Sequence, residues 1–539
     1  MTNLTSIIFR SRKTRAADSS PRAEAEELQA APLPEGPVIL QLMGSLGLNR
    51  GGLTKAVYAR TSILATDKRV IFASLAHQFD YPEVFEASKR TGQIPAHSEL
   101  RHFHGDIEQN GRVGNPQETR FASLMRNEFG IDSTVEEGPQ NLYKRFFHRG
   151  SFIAMECRSL DGRLIFTDHH DEHRPWIVNF RDRYDAEGRI RVREYMNEEF
   201  KPRYKIFYNQ NGGEYLSLWV SPTGYEYRAV LYRTDDSSQY KDLRAVHRIW
   251  LKGLVKEFGD SVLFSDEPTT AFALSINLPG CKKVGSIHTT HYANHVDASE
   301  GLKGWVPHYV RAFGTLDRLV FFTKSQLEDF RRDTNCPPTL LCTVPHAAPK
   351  IDDGQTETSS VHDSQLMVVV SRMDKDKRLD HIVQAFNKAK QDHPRLRLEI
   401  YGSGPEEENL KKLVTSLGAS DSISFNGYTS DPISVFRSAG ASIMASRYEG
   451  FGLVITESMA CGTPVISYDT KYGPHELIKD KINGRLVENG NINELAAAIV
   501  ESSQNSGSSI ERRLGALATA NEYSIENWKR NWQLLVSQL

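Results

Sequence analysis

Two kinds of hydrophobic pattern divide the chain. In residues 37–80, 240–350 and 351–520, continuous apolar runs are followed by helical segments, as in parallel sheets with helices on both faces. From about residue 150 to 233, apolar and polar residues instead alternate between glycine-containing turns, which predicts an antiparallel meander. We therefore predict an α/β protein with two Rossmann-like domains that face a cleft, and a β-meander domain inserted in the first of them.

The first domain, 37–80 and 240–350, opens with a predicted strand at 37–46, a glycine-rich turn, and a helix from Thr54 to Leu64. The interruption is assigned as a whole, residues 81–239, to the inserted domain, although its first part up to residue 149 carries little pattern. A helix from Leu243 to Phe258 then resumes the α/β alternation. Further strands are predicted at VLFSDEP, KKVGSIHTTHY and RLVFFT.

The second domain, residues 351–520, alternates strands and helices without interruption. Residues 344–364 are polar and are typical of a linker between the domains. The predicted strands are LMVVVSR, LRLEIYG, SISFNGY, ASIMAS and PVISYD. The last segment, 521–539, is predicted to contain a helix whose apolar stripe, with Trp528 and Trp532, packs against other elements.

Composition narrows the class of protein. The chain has 539 residues, 39% of them hydrophobic and 25% charged, and a net charge of −2, so a nucleic-acid partner is not expected. Five dispersed cysteines favour reduced thiols and a cytoplasmic location. No apolar run reaches the roughly 20 residues that span a bilayer. Residues 1–36 are predicted to be a disordered tail, with at most a peripheral association at the inner face of the cell membrane.

A pair of cations lies at the end of the first strand of the second domain. Arg372 and Lys377 are five residues apart on a loop between a strand and a helix, where they can converge on one diphosphate. Taken alone, a solvated charged loop explains them equally well, since acidic residues stand among them.

Two glutamates flank a glycine turn later in the same domain. Glu449 precedes a Gly-Phe-Gly turn and Glu457 lies on the helix that follows it. Backbone N–H groups at a helix N-terminus bind anions or hydroxyls, and a carboxylate accepts two hydroxyl hydrogen bonds, which suits a ribose or hexose diol. The candidate donor-binding residues of the turn are Gly450, Phe451, Gly452 and Leu453.

These motifs together resemble the family-4 glycosyltransferases of GT-B fold. The resemblance rests on Arg372-x4-Lys377, on Glu449-Gly-Phe-Gly-Leu-x3-Glu457-x-Met-Ala-Cys-Gly-Thr-Pro464, and on Gly473-Pro-x-Glu476, and it covers about residues 366–500. It implies that Arg372 and Lys377 bind the donor diphosphate. It also implies that Glu457 binds the ribose and that Glu449 lies beside the reacting centre of the donor sugar.

The same resemblance implies two further donor contacts in the first domain. Gly51 and Gly52 match a glycine loop near the donor phosphates. A histidine at a strand end touches the donor sugar, and His288 stands in the better-matching position, with His291 as its competitor. A histidine there could also simply satisfy a hydrogen bond in the core.

The insertion resembles the one in the bacterial poly(glycerol-phosphate) α-glucosyltransferases of wall teichoic acid synthesis. It also resembles that of the transferase that adds N-acetylglucosamine to serine-rich adhesins before their secretion. This resemblance implies a homo-oligomer formed through the β insertion, or acceptor binding by it. Arginines and tyrosines of the insertion could bind a phosphate-rich polymer, although outward-facing side chains of a sheet explain them at least as well: Arg191, Arg193, Tyr195, Arg203, Tyr204, Tyr208, Tyr225 and Tyr227.

A run of acidic residues and histidines in the insertion suggests a metal site. His169, Asp171 and His173 alternate along a predicted strand and could share one face. A solvated hairpin is the better explanation, and the family generally needs no metal, so no metal site and no cofactor are predicted apart from the co-substrate UDP-sugar.

The resemblance therefore implies a retaining glycosyltransferase. It implies that the enzyme moves glucose or N-acetylglucosamine from a UDP-sugar donor to a polymer such as teichoic acid or to a protein hydroxyl. The candidate catalytic residues are Glu449, His288, Lys377 and Arg372. The alternatives are an epimerase or phosphorylase of the same architecture, and a non-catalytic, acceptor-binding subunit of a transferase complex.

Overall fold

The computed structural model describes most of the chain after residue 35. The described residues are 36–45, 47, 52–78, 80–114, 133–138, 142–294, 298–351, 362–504 and 507–539. The predicted tail up to residue 35, Gly51, and residues 352–361 of the predicted linker lie outside them.

The strands, in chain order, are β1 (Val38–Met43), β2 (Val70–Ser74), β3 (Glu99–His102), β4 (Ser133–Glu137), β5 (Tyr143–His148), β6 (Ser151–Arg158), β7 (Leu164–His170), β8 (Val178–Tyr184), β9 (Ile190–Met196), β10 (Pro202–Tyr208), β11 (Glu214–Val220), β12 (Glu226–Tyr232), β13 (Ser237–Tyr240), β14 (Ser261–Ser265), β15 (Cys281–Ile287), β16 (Arg318–Phe321), β17 (Leu341–Thr343), β18 (Asp363–Val370), β19 (Arg397–Tyr401), β20 (Ile423–Gly427), β21 (Ala439–Met444), β22 (Val465–Tyr468) and β23 (Gly484–Val487).

The helices of the described residues are α1 (Gly52–Leu64), α2 (Tyr81–Arg90), α3 (Phe103–Glu108), α4 (Leu243–Phe258), α5 (Val306–Val310), α6 (Lys324–Thr334), α7 (Leu379–Asp392), α8 (Glu407–Ser416), α9 (Pro432–Ser438), α10 (Leu453–Ala460), α11 (Gly473–Leu477), α12 (Ile492–Ser503), α13 (Gly507–Glu522) and α14 (Ile525–Ser537).

Two parallel sheets form the predicted pair of Rossmann-like domains. In the described part of the chain, the first has the strand order β17-β16-β15-β14-β1-β2-β3 and the second the order β20-β19-β18-β21-β22-β23. In each sheet, successive strands are added first on one side of a central strand and then on the other, as in doubly wound sheets. In such sheets, ligands bind to the loops at the carboxyl ends of the strands. The predicted fold class is confirmed.

The boundary expected at residue 81 differs from the structure. Strand β3 pairs in parallel with β2, so α2, β3 and α3 complete the first parallel sheet instead of starting the insertion. The boundary was misplaced for a physical reason. Strand β3 has only four residues, three of them polar, and all four are half-buried, so it lacks the apolar run of a buried strand.

The insertion is an antiparallel meander in which neighbouring strands pair in sequence order, from β4 to β13, over the residues that the structure describes. Its hairpins turn where the sequence indicated: Gly162, Gly188 and Gly212 have φ angles of 86°, 76° and 74°. Only glycine adopts such angles without steric cost, so each turn is fixed locally.

The insertion and the first domain share a hydrophobic core. Leu216 and Leu218 of β11 pack in the same cluster as Leu40 and Leu42 of β1, with α4 completing the layer. The opposite face of the first sheet is covered by α1 together with α14 from the far end of the chain. The meander is thus docked against the first domain by an apolar interface, next to the carboxyl edge of that sheet.

Candidate active site

A cavity of about 480 Å³ lies between the carboxyl edges of the two parallel sheets. From the first domain it is lined by His288, one residue after β15, and by Asp266, one residue after β14. From the second domain it is lined by Arg372, Lys377 and the loop after β21, which begins with Ala445. Ligands of doubly wound sheets bind at this edge, so the cavity is the natural place for a shared substrate.

Lys377 is held firmly at the wall of this cavity. It ends a short 3-10 turn, and its Nζ donates a hydrogen bond of 2.5 Å to Oε1 of Glu449. Arg372 also lines the cavity, but its side chain is 78% exposed and pairs with its neighbour Asp374 at 3.0 Å. The two cations therefore reach the same space, one fixed and one free to adjust to a ligand.

Glu449 joins the charged loop to the glycine turn. Its Oε1 accepts the bond from Lys377 and another of 2.8 Å from the hydroxyl of Ser446. No described residue donates a hydrogen bond to Oε2 of Glu449. The carboxylate is thus oriented by its two partners and keeps one oxygen for a hydroxyl or a developing positive charge.

The glycine turn brings the two domains into backbone contact. A Cβ atom on Gly450 would lie 2.1 Å from the carbonyl oxygen of His288, so only glycine fits here. Phe451 is buried, and its ring centre lies 5.2 Å from that of His346 in an edge-to-face arrangement. Gly452, with a φ angle of 84°, directly precedes α10, and the first residue of that helix, Leu453, lines the cavity. The N-terminal end of α10 borders the cavity, and the N–H groups and dipole of a helix N-terminus favour an anion there.

Glu457 lies one turn further along α10 and does not line the cavity. It is half-buried, and burial raises the pKa of its carboxyl, which Lys55 of α1 partly offsets. Of the predicted first-domain loop, Gly51 is outside the described residues and Gly52 is the first residue of α1. The next residue, Leu53, lines the cavity, so the start of α1 is close to it.

The structure brings only one of the two candidate histidines to the cavity. His288 lines it, with Nε2 3.0 Å from Oδ1 of Asp266 and its ring 4.3 Å from that of Phe322. His291 is fully buried away from the cavity, and its Nε2 lies 3.3 Å from Asp333. His291 therefore supports the packing of α6 rather than the cavity wall, which corrects its assignment to the donor site.

Sequence reasoning missed the group behind His288. Asp266 is buried and bonded to the guanidinium of Arg60, a residue fully buried on α1. The Asp266 carboxylate lies near the carboxyl end of the predicted strand VLFSDEP, which is a signal for a site residue. Its partner is 206 positions away in the sequence, and no local pattern announces that pairing.

A second cavity, of about 840 Å³, adjoins the first at the same edge of the first sheet. Glu267 and Thr269, next to Asp266, line it on one side, and the meander supplies Arg183 and Lys205 on the other. Arg244 on α4 adds a third cation, and the carboxylates of Glu194, Glu226 and Asp242 line the cavity as well. Arg183 donates to Glu194 at 2.8 Å, whereas Arg244 lies over the ring of Phe272 and has no carboxylate partner among the described residues.

The acidic and histidine run of the insertion does not converge on one point. His169 stacks on Phe180 and lies 3.1 Å from Asp182, while Asp171 accepts backbone hydrogen bonds from His173 and Arg174. The described residues contain no cluster of three or more potential metal ligands. These side chains are used within the hairpin and the sheet.

Several arginines of the meander are paired inside the sheet. Arg193 donates two hydrogen bonds, of 2.7 and 2.9 Å, to the buried carboxylate of Asp182. Arg191 is bonded to Glu108 of α3. These two side chains therefore stabilise the insertion and its contact with the first domain, in agreement with their interpretation as ordinary side chains of a sheet.

Among the described helices, none is both long enough and apolar enough to cross a membrane.

Comparison with known proteins adds the chemistry. The family described as "Glycosyl transferases group 1" matches residues 352–516, which contain Lys377, Glu449 and α10. The poly(glycerol-phosphate) alpha-glucosyltransferase of Bacillus subtilis (strain 168) is 25% identical over 92% of this chain and 74% of its own length. The poly(ribitol-phosphate) alpha-N-acetylglucosaminyltransferase of Staphylococcus aureus (strain COL) is 24% identical over 92% of this chain and 98% of its own.

Solved structures share the whole architecture. A point mutant of S. aureus TarM, in complex with Fondaparinux, alpha-GlcNAc-glycerol and UDP, superposes with a TM-score of 0.78 at 22% identity, over 93% of this chain and 99% of its own. The pneumococcal O-GlcNAc transferase GtfA, in complex with UDP and GlcNAc, gives a TM-score of 0.61 at 17% identity, over 93% and 99% of the two chains. Since the family match, the long relatives and the fold agree, the resemblance predicted from the motifs is confirmed, and the chain is a glycosyltransferase of GT-B fold that carries a group 1 glycosyltransferase domain.

Proposed function

We propose that this protein is a retaining transferase that moves glucose or N-acetylglucosamine from a UDP-sugar to a hydroxyl of an extended acceptor, a polyol-phosphate polymer such as teichoic acid. The observation that carries the proposal is the meeting of Lys377, Glu449 and His288 in one cavity between the two domains. The two relatives that match most of the chain are named for transfer to polyol-phosphate polymers. This favours a polymer over a protein as the acceptor.

In the proposed reaction the diphosphate of the donor lies at the start of α10. Lys377 and Arg372 offset the negative charge that grows on the leaving phosphate as the glycosidic bond breaks, and the N–H groups at the helix end add to this stabilisation. Glu457, on the same helix, is assigned to the ribose hydroxyls, which requires a movement of its side chain towards the cavity.

Retention follows from attack on the face that the leaving group vacates. The acceptor hydroxyl forms the new bond to the anomeric carbon, the bond to the phosphate oxygen breaks, and that oxygen takes the hydroxyl proton. Glu449 does not act as a nucleophile in this scheme; Lys377 and Ser446 hold its Oε1 and so orient the carboxylate. Its free oxygen orients the sugar or stabilises positive charge on the ring.

No metal ion enters the proposal. In many enzymes a divalent ion stabilises the negative charge of a leaving diphosphate. In this proposal, two side-chain cations and a helix N-terminus stabilise that charge instead.

We further propose that the acceptor reaches the anomeric carbon through the second cavity. That cavity adjoins the first at Asp266 and Glu267. Of the cations in its wall, Arg183 and Lys205 both pair with Glu194, whereas Arg244 has no carboxylate within ion-pair distance among the described residues and suits a phosphate of a polymer. The meander that builds this wall is also the surface we assign to homo-oligomer formation.

The five cysteines are all free thiols, which supports a reducing, cytoplasmic compartment, at or near the inner face of the membrane.

The first test is turnover of nucleotide sugars without an acceptor. Wild-type protein should hydrolyse one of UDP-glucose and UDP-N-acetylglucosamine slowly, and Lys377→Ala should lower this rate by roughly 10²-fold, since a lost charge at the leaving group costs about 3 kcal/mol. Lys375→Ala is the matched control, because Lys375 is exposed on the same turn and does not line the cavity. Equal loss in both variants would reject the role of Lys377. Absence of turnover and of donor binding in the wild type would favour the non-catalytic subunit instead.

The second test is the configuration of the product. With a polyol-phosphate acceptor, nuclear magnetic resonance of the first product formed should show the α-configuration of the donor. A β-linked product would reject retention while leaving the transferase assignment in place.

A further inference from the structure

A buried ion pair stands directly behind the histidine of the cavity. The guanidinium of Arg60 donates to both oxygens of Asp266, at 2.8 and 2.6 Å. Gln41 of β1 donates a third hydrogen bond to this carboxylate, at 3.0 Å. Arg60 and Asp266 are only 2% and 3% exposed, so the pair is removed from water although one of its members lines the cavity.

The fourth partner of the carboxylate is His288. Nε2 of His288 lies 3.0 Å from Oδ1 of Asp266, the oxygen that also accepts from Arg60. The Arg60 guanidinium and these hydrogen bonds hold the pKa of Asp266 well below its usual range against the opposing effect of burial. An ionised carboxylate can only accept hydrogen bonds, so the proton of this contact belongs to Nε2 of His288.

This contact fixes the chemical form of the imidazole. Burial lowers the pKa of His288, while Asp266 raises it and Arg60 lowers it again, so the ring is neutral at neutral pH. The nearest rings on the other side are Phe322 and His346, and burial keeps the latter neutral as well. A neutral imidazole with its proton on Nε2 presents Nδ1 as a hydrogen-bond acceptor.

We propose that Asp266, neutralised by Arg60, is a positioning residue that fixes the Nε2–H tautomer and the orientation of His288, so that His288 accepts a hydrogen bond from a sugar hydroxyl in the cavity. The inference rests on sugar transfer in this cavity, the proposed function. It assigns a purpose to a buried charge pair, an arrangement that is often no more stable in a core than a hydrophobic pair of similar volume.

The pair is in turn held by the far end of the chain. The guanidinium carbon of Arg60 lies 4.4 Å from the ring centre of Phe264 and 4.8 Å from that of Trp532, and the two ring centres are 5.9 Å apart. Trp532 belongs to α14 and is 1% exposed. The orientation of the cavity histidine therefore depends on a chain of contacts from His288 through Asp266 and Arg60 to the last helix.

A direct test reads the tautomer without any turnover. Nitrogen chemical shifts of protein with isotope-labelled histidine, assigned by the signal lost in His288→Ala, should show Nε2 protonated and Nδ1 unprotonated near neutral pH. A proton on Nδ1, or an even mixture of the two tautomers, would overturn the proposal. Since no donor is present, this result does not depend on whether the proposed transfer takes place.

A kinetic test separates positioning from stability. Changing the pair as a unit, Arg60→Gln with Asp266→Asn, should leave the protein folded and lower kcat of donor hydrolysis by about 10²-fold, the scale of a misplaced contact group, with little change in KM. In a His288→Ala background the same pair of changes should lower kcat less than about threefold, because residues that act through one another are not additive. The control is Arg69→Gln with Glu99→Gln, which removes a half-exposed pair of the same domain and should change kcat in neither background.

A second variant tests the same proposal if the protein with Arg60→Gln and Asp266→Asn does not fold. Asp266→Glu keeps a carboxylate for Arg60 but moves it relative to His288, so it should fold, lose kcat, and lose nothing more when His288 is already alanine. Equal losses of kcat in the two backgrounds would show that the pair acts independently of His288 and would overturn the proposal. A wild type without donor turnover would count against the proposed function, while the tautomer measurement would still decide the inference on Asp266.

Discussion

Glu476 of the second domain caps a helix of the first. Its Oε2 accepts hydrogen bonds from the backbone N–H of Ser325, at 3.1 Å, and from the Ser325 hydroxyl, at 3.2 Å, while Oε1 accepts from the N–H of Lys324 at 3.0 Å. A carboxylate at a helix N-terminus satisfies unpaired donors and complements the helix dipole. Lys471 adds an ion pair of 2.8 Å to Asp329 on the same helix. The relative position of the two domains is thus fixed by charges at α6, outside the cavity.

Glu476→Gln should weaken donor binding. A helix cap contributes about 1 kcal/mol, which corresponds to roughly a fivefold shift between the observed and more open arrangements of the domains. We expect KM for the nucleotide sugar to rise by about that factor, with kcat of the bound complex unchanged. Glu328→Gln, an exposed change on α6 itself, is the control and should leave KM as it is. A drop in kcat at constant KM would contradict the interpretation.

Gly450→Ala should reduce activity far more than its size suggests. The added methyl group would lie 2.1 Å from the carbonyl oxygen of His288, which is backbone and cannot yield without moving one domain. A displacement of about 1 Å at the reacting groups costs on the order of 10²-fold in rate. The rate of donor hydrolysis measures this loss.

Gly253→Ala provides the comparison for that variant. Gly253 lies inside α4, and a Cβ there would meet no atom within 4 Å. Alanine should therefore raise stability by about 0.5–1 kcal/mol through helix propensity. Activity of Gly450→Ala within threefold of the wild type would show that the domains do not need this close approach.

Glu457→Gln should raise the melting temperature at neutral pH. Burial raises the pKa of this carboxyl in the folded state, so the folded protein holds the proton to higher pH than the unfolded chain does. The favourable contribution is complete below the ordinary carboxyl pKa of 4.5 and is lost as the pH rises through the folded value. The gain from glutamine should therefore be present at neutral pH and disappear in acid.

The same variant should bind UDP more weakly if Glu457 meets the ribose. Calorimetric melting across the pH range, with UDP titration at neutral pH, checks both effects. Glu511→Gln, an exposed change on α13, should alter neither. A melting temperature that falls with Glu457→Gln would contradict the prediction, because it would mean that the ionised carboxylate makes a stabilising contact in the folded protein.

Arg244→Ala should raise KM for a polyol-phosphate acceptor and leave donor hydrolysis unchanged. Arg244 lines the second cavity, and an exposed hydrogen bond to a phosphate is expected to contribute about 1 kcal/mol, or roughly fivefold in KM. Arg248→Ala, one turn further along α4 and outside the cavity wall, removes the same charge from the helix. Equal effects of the two variants would indicate a general charge effect instead of a binding site.

Most of the fold followed from local patterns. The meander was predictable because each hairpin carries its own glycine turn and each strand its own alternation, and α4 begins and ends where its apolar period does. Strand β3 was missed because half-buried polar residues carry no period, and α2 and α3 were misassigned with it. Such strands are recognised only once their neighbours in the sheet are known.

The second-domain part of the site was predictable for a related reason. Glu449 and the glycine turn form one short segment, so their chemistry is visible in a few consecutive residues. The Arg60–Asp266 pair joins residues 206 positions apart, and its effect on His288 arises only from burial. The choice between His288 and His291 likewise required the packing of α6, since both histidines follow the same strand.

The position of α14 has a consequence for the synthesis of this protein. Trp528 and Trp532 belong to the same buried cluster as Ile39 of β1 and Phe72 of β2, strands that are synthesised long before α14. The first domain therefore cannot complete its core as it leaves the ribosome, because its apolar face stays uncovered until α14 has been made. Expressed alone as residues 36–351, this domain should expose that face and aggregate, and a peptide of residues 525–537 supplied in trans should restore its solubility.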